Sequence, residues 1–244
     1  MCYASPSSVR EDKLKSLLRA GLKKLLVGVQ TGSDRVNREI YKRTVSRDRV
    51  VRAARILHKY RRYMRPPEYS LIACNPLEQA SDLRQSIDLL RELPRPYVLK
   101  SNGLTLFPGT ELAEQMRAQG LLNAGNESVF ARQFHELEQR LRMPMPQAYL
   151  SSLLYWMNGT VTPLRYGLVP AALLDLLLDE RVVAFNQRYR LPSLAVNRVQ
   201  ALSWQAEEKV FIFLKNAYLA SPAPLQRFAH RLFYRRNYGE DCAQ

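Results

Sequence analysis

Three short apolar runs follow one another between residues 25 and 119, each closed by a polar turn and followed by a stretch of helical spacing. This alternation constrains the fold more than any other property of the chain. The runs are Leu25 to Val29, Tyr69 to Cys74 and Tyr97 to Leu106. Leu25 to Val29 is too short for a helix core and is continuous rather than alternating, the pattern of a parallel strand covered on both faces. Val36 to Tyr41 then resumes a helical pattern. Val50, Ala53, Ala54, Leu57 and Tyr60 recur at three and four in a helix that starts at Ser46 and ends before Pro66-Pro67. Leu83, Ile87 and Leu90 mark a helix over Ser81 to Leu93, and Glu111 to Gln119 another, ending at Gly120. Upstream, Leu14, Leu17 and Leu18 predict a helix within Val9 to Ala20, with Gly21 where a C-terminal cap belongs. Cys2 to Pro6 reads as the tail of a strand whose beginning is missing. Strand and helix alternating in this way imply right-handed parallel units, so the expected fold class is α/β, a partial (β/α) parallel barrel or an open layer.

After Gly125 no further alternation is visible. Phe130, Phe134, Leu137 and Leu141 form one helical stripe, Val199, Leu202, Val210, Phe213, Leu214 and Tyr218 a second, and Leu225, Phe228, Leu232 and Phe233 a third. The expected division is a partial barrel over residues 1–122 and an α-helical C-terminal region over 123–244. Trp156, Trp204 and the aromatics of the stripes read as core. Leu168 to Leu178 is the most apolar stretch, but it is short and holds Pro170 and Asp175. It reads as a buried or interfacial helix rather than the roughly 20-residue apolar run of a membrane span.

Cys2, Cys74 and Cys242 are the only cysteines. They are too few for a disulfide framework and too dispersed for a metal-ligand spacing, which suits a reducing cytoplasm. The formal net charge of +15 is uneven, since residues 1–120 hold 23 Lys/Arg against 12 Asp/Glu, and Arg35 to Arg65 alone hold 12 against 2. Such density attracts nucleic acid or an anionic membrane surface. The basic residues are not interleaved with aromatics, Arg61-Arg62-Tyr63 being the nearest approach, so a solvated outer face of two helices is the preferred reading.

Ligands of parallel α/β sheets sit at the carboxyl ends of the strands. Three polar loops fall there: Gln30 to Ser33, Asn75 to Glu78, and Phe107 to Thr110. Gln30 and Asn75 both donate and accept, and Glu78 accepts from an ammonium or a ribose hydroxyl, which suits a small zwitterionic or nucleoside-containing ligand.

The ordered set Ala20-Gly21, Gly28-Val29-Gln30-Thr31-Gly32-Ser33-Asp34, Lys42, Cys74-Asn75-Pro76-Leu77-Glu78 and Pro108-Gly109-Thr110-Glu111-Leu112 resembles the second half of the barrel in radical S-adenosylmethionine enzymes. The resemblance is to the cobalamin-binding-domain subgroup and covers roughly residues 1–120. It implies an S-adenosylmethionine site. Gln30 takes the place of the acid or amide at the end of the fourth barrel strand, Ser33 matches the last serine of that loop, and Lys42 a basic residue near the methionine carboxylate. Asn75 and Glu78 fall on the fifth-strand motif beside adenine and ribose. Thr31 replaces the usual first serine, and Ala73-Cys74 stands where the family has a glycine.

The family's cluster-binding C-x3-C-x2-C loop has no counterpart here, and Cys2, Cys74 and Cys242 do not substitute for it by spacing. A 4Fe-4S cluster and cobalamin are therefore implied only through a separate or missing N-terminal portion, and no catalytic residue is assigned to this chain alone. The alternative is a non-catalytic basic α/β module that binds nucleic acid or an acidic partner. His58, His135 and His230, the pairs Glu136/Glu138 and Asp179/Glu180, and the acceptor pattern Asn158-Gly159-Thr160 read as surface or structural features.

Overall fold

Parallel pairing explains why the apolar runs lie at such long sequence separations. In the computed structural model β1 (Cys2–Ala4), β2 (Leu25–Gln30), β3 (Glu68–Ala73) and β4 (Val98–Gly103) form one all-parallel sheet in the order β1-β2-β3-β4. The structure describes residues 1–73, 75–121, 147–157 and 171–189, with scattered positions between 192 and 228. The helices are α1 (Glu11–Arg19), α2 (Arg47–Lys59), α3 (Ala80–Glu92), α4 (Glu111–Ala118), α5 (Gln147–Trp156), α6 (Ala171–Leu178) and α7 (Glu180–Tyr189). The fold is mixed α/β, compatible with a partial β/α barrel plus a helical region. Most strands and helices fall within a residue or two of the runs that predict them, because proline, glycine and polar turns bound each run, but β4 ends at Gly103, short of Leu106, and α2 ends at Lys59, well before Pro66-Pro67. Gly21 caps α1 at a left-handed φ of +88°, with Leu22 N–H bonded to Leu17 O at 2.9 Å.

One face of the sheet carries the core. Val27, Val29, Tyr69, Leu71 and Leu99 point into it and meet Leu14 of α1, Val50, Ala54 and Leu57 of α2, and Leu83, Ile87 and Leu90 of α3. Tyr149, Leu150, Leu153 and Leu154 place α5 in the same core. Arg84 bonds to Leu178 O at 2.7 Å and Arg91 pairs with Asp175 at 2.8 Å, tying α6 to α3.

The expectation that β2 is covered on both faces is corrected. Leu26, Gly28 and Gln30 alternate with the buried valines and are only half-buried. Among the described residues the sheet has four strands and nothing fully covers its second face. Beside Leu26 and Ile72 that face carries polar groups, with Ser70 accepting from Asn102 at 3.1 Å, and Glu68 held between Lys24 at 2.7 Å and Lys100 at 3.2 Å.

Two further differences matter. Val36 to Ile40 is a single wide π-type turn rather than an α-helix, closed by Tyr41 N–H to Val36 O at 2.9 Å. α4 does not join the main core; Ala113 and Met116 pack with Leu104 and Leu106 against Tyr41, Ile72 and Leu77, on the otherwise open side of the sheet. In α6 Leu174 is buried while Leu176 is exposed, as an interfacial helix requires. Phe213, Leu225 and Phe228, assigned to core stripes by spacing, are exposed and add nothing to the core around the sheet. The stripe at Phe130 to Leu141, together with Cys74, Cys242, Trp204, His135, Glu136, Glu138, His230 and Asn158 to Thr160, lies outside the described residues. No helix among the described residues is long and apolar enough to cross a membrane.

Candidate functional site at the carboxyl ends of β2 and β3

The last residue of β2 breaks the strand's regularity. Gln30 has a left-handed φ of +73°, costly for a residue with a β-carbon, and the β2–β3 register shifts between Gly28 and Gln30. The bend lays the Gln30 side chain back over Gly28, whose missing β-carbon would stand 2.9 Å from Gln30 Nε2. Lys42, the second non-glycine residue in left-handed backbone (φ +51°), ends the segment after the wide turn.

These two distortions border a cavity of about 420 Å3, walled by Gln30, Tyr41, Lys42 and Arg43 on one side and by Ile72 and Thr110 to Leu112 on the other. Its volume lies in the range of small-molecule sites. Arg43 donates to the carbonyls of Val29 (3.2 Å) and Gly28 (3.0 Å) and forms no ion pair among the described residues. Burial alone lowers its pKa. A guanidinium has five N–H donors, so some remain beyond these two bonds. Lys42 is exposed and lies 3.7 Å from Glu111.

Ser33, Asn75 and Glu78 are buried, with their side chains turned into the junction between loops and α3 rather than to the cavity. Ser33 Oγ donates to Asp82 Oδ1 at 2.6 Å, and Arg35 forks onto the same carboxylate, with Nε at 3.2 Å. Asp82 also accepts from Gln79 N–H at 2.7 Å, which caps α3. Burial pushes the Asp82 pKa up, but the bonds from Arg35, Ser33 and Gln79 and the Arg35 charge outweigh it, and the net shift is downward.

Glu78 Oε1 accepts from Thr31 Oγ1 at 3.1 Å, while Oε2 has no hydrogen-bond partner. Burial first, and the Asp82 charge in addition, push its pKa up to about 8 against the opposing effects of Thr31 and Arg35. Asn75 reaches the site through a neighbour: its Nδ2 donates to Tyr41 Oη at 3.1 Å, its Oδ1 accepts from Leu77 N–H at 3.0 Å, and Tyr41 borders the cavity.

Of the five residues singled out by sequence, the structure thus brings Gln30 and Lys42 to one cavity and places Ser33, Asn75 and Glu78 behind it. Arg43 was missed. Its signal, a second cation directly after Lys42, is hidden in a basic run where most arginines are superficial. Among the described residues no group of three or more His, Cys, Asp and Glu side chains converges to hold a metal.

No family model matches this chain, and no curated protein does. Among solved structures it is similar to TsrM, a radical S-adenosylmethionine methyltransferase from Kitasatospora setae determined with cobalamin and a 4Fe-4S cluster bound. The similarity has a TM-score of 0.41 at 20% identity, over 48% of this chain and 22% of that one. The chain spans about a fifth of that protein's length.

Proposed function

We propose that this chain is a portion of a radical S-adenosylmethionine enzyme, in which residues 1–122 form the barrel half lining the S-adenosylmethionine site and 123–244 a helical extension. The observation that carries the reading is the half-buried Arg43 guanidinium beside Gln30, without a carboxylate partner among the described residues, in a cavity of nucleoside size. A partly desolvated cation favours a carboxylate ligand over water. Arg43 and the exposed head of Lys42 take the methionine carboxylate. The Gln30 amide serves the amino group or a ribose hydroxyl, and Ile72 and Leu112 offer apolar surface to the rest of the ligand.

Ser33, Asn75 and Glu78 act as positioning residues. They hold the loop after β2 and, through Tyr41, the wall of the cavity. S-adenosylmethionine, when bound, supplies an activated sulfonium to the whole enzyme. The residues present do not fit a 4Fe-4S cluster, which needs three suitably spaced thiolates. Cluster and cobalamin therefore belong to another portion, and no step is assigned to this chain alone.

Calorimetric titration of the full chain with S-adenosylmethionine, methionine and adenosine tests the reading. Arg43→Ala is expected to weaken the two carboxylate-bearing ligands by about tenfold, the effect of one charge-assisted contact, and to leave adenosine unchanged. Absence of saturable S-adenosylmethionine binding, or binding indifferent to Arg43, rejects the assignment.

A further inference from the structure

A second cavity, of about 360 Å3, lies between the Pro6–Ser8 turn that follows β1 and the first three turns of α2, and shares no lining residue with the cavity at Gln30. Arg49, Arg52, Ala53 and Ile56 border it at spacings of three, four and seven, so they occupy one stripe of the helix. Core packing accounts for Ala53, which is buried, and for Ile56, which is partly so. It does not account for the arginines. Among the described residues Arg49 reaches only neutral groups, Ser7 Oγ at 3.3 Å and Thr44 O at 3.4 Å. Arg52 has neither a hydrogen bond nor an ion pair among the described residues.

Several neighbouring cations differ. Arg35 is held by Asp82, Arg47 by Glu92 at 3.0 Å, and Lys59 by Glu11 at 2.7 Å. Glu11 is occupied by Lys59, Lys15 and Tyr60, and Asp12 by Arg10. Asp48 is exposed and forms no ion pair within 4.0 Å among the described residues. The cleft therefore concentrates two uncompensated guanidinium groups on a chain of net charge +15.

We infer that this cleft binds the phosphodiester backbone of a single-stranded nucleic acid, independently of the S-adenosylmethionine reading. Arg49, Arg52 and the Ser7 hydroxyl take phosphate oxygens, guanidinium forks matching that geometry. Pro6, Val9 and Ile56 give the sugar or base an apolar wall. Two features favour a strand over an anionic bilayer: the apolar residues are recessed in a groove rather than protruding, and the groove has the volume of a nucleotide. No aromatic side chain borders the cleft, so base stacking adds nothing. Binding is sequence-tolerant and strongly salt-dependent.

Fluorescence anisotropy with a labelled single-stranded oligouridylate tests this, using the full chain at about 50 and about 200 mM salt. The double variant Arg49→Ala/Arg52→Ala is expected to bind about tenfold more weakly at the lower salt. Its slope of log affinity against log salt falls by about 1.4, two phosphates at about 0.7 each. Lys13→Ala/Arg19→Ala, an equal loss of exposed charge on α1, leaves the slope unchanged. Arg52→Glu, a single exposed substitution that does not endanger folding, exceeds Arg52→Ala in effect. Equal losses in the two double variants, no retention at about 50 mM salt, or tighter association with phosphatidylserine vesicles than with the oligonucleotide overturns the inference.

Discussion

Gly32 leaves no room for a side chain, since a β-carbon there would lie 2.5 Å from Ser86 Cα and 2.7 Å from Gln85 O. Both obstacles are backbone of α3, so relief requires the helix or the loop to move. Gly32→Ala is predicted to destabilise the fold by about 3 kcal/mol, the upper part of the range for overpacking, as measured by urea denaturation. Glu78 gives a second test at a single residue. Its carboxyl has a folded pKa raised to about 8, above the ordinary 4.5, so the native state holds a proton that the unfolded chain has released. This contribution to stability is complete below about pH 4.5 and is lost as pH rises toward 8, at no more than about 1.4 kcal/mol per pH unit. Glu78→Gln, neutral at every pH, removes that decline. Stability of the variant measured from pH 5 to 8 is expected to be flatter than wild type and higher at pH 8. At Gln30 the strained backbone makes a third test, because glycine accepts a φ of +73° freely. Gln30→Gly is expected to keep stability within about 1 kcal/mol of wild type while weakening ligand binding, a separation that a purely structural role would not produce.

At the level of elements, the junction between the β2 loop and α3 rests on Asp82, which caps the helix and gathers Ser33 and Arg35. Asp82→Ala is predicted to cost about 2 kcal/mol. About half is the lost cap, the rest the paired groups left behind, discounted because Arg35 is a third exposed. Strands and most helices were legible because apolar runs bounded by Gly21, Pro66-Pro67 and Pro94 admit few alternatives. The wide turn at Val36 to Ile40 was not, since its spacing over five residues suits an α-helix equally well. Asn37 settles it by bonding elsewhere: its O accepts from Arg43 N–H at 2.7 Å, which carries the chain around to Arg43. The site was legible in part for a related reason. Sequence marks Ser33, Asn75 and Glu78 as polar loop residues, but whether such side chains face a ligand or a neighbouring helix depends on Asp82 for Ser33, Tyr41 for Asn75 and Thr31 for Glu78, each distant in sequence from the residue it holds. The placement of α4 was equally hidden, because Ala113 and Met116 would suit either face of the sheet.

On the scale of the molecule, among the described residues four parallel strands with most of their helices on one side leave the other side half-covered, and α4 closes its carboxyl end. That asymmetry puts the cavity at Gln30 under a short roof and leaves Ser70, Lys100 and Asn102 facing outward. Its polar character agrees with a wall lining a ligand space rather than a face awaiting an apolar partner layer. In the proposed function this roofed end of the sheet receives S-adenosylmethionine through Arg43 and Gln30. Backbone chemical-shift mapping of the labelled chain during titration with S-adenosylmethionine tests it most directly. Saturable shifts at Gln30, Tyr41, Arg43 and Leu112, absent in Arg43→Ala, are the predicted result; unmoved signals there, or shifts confined to the Arg49–Arg52 cleft, would contradict it.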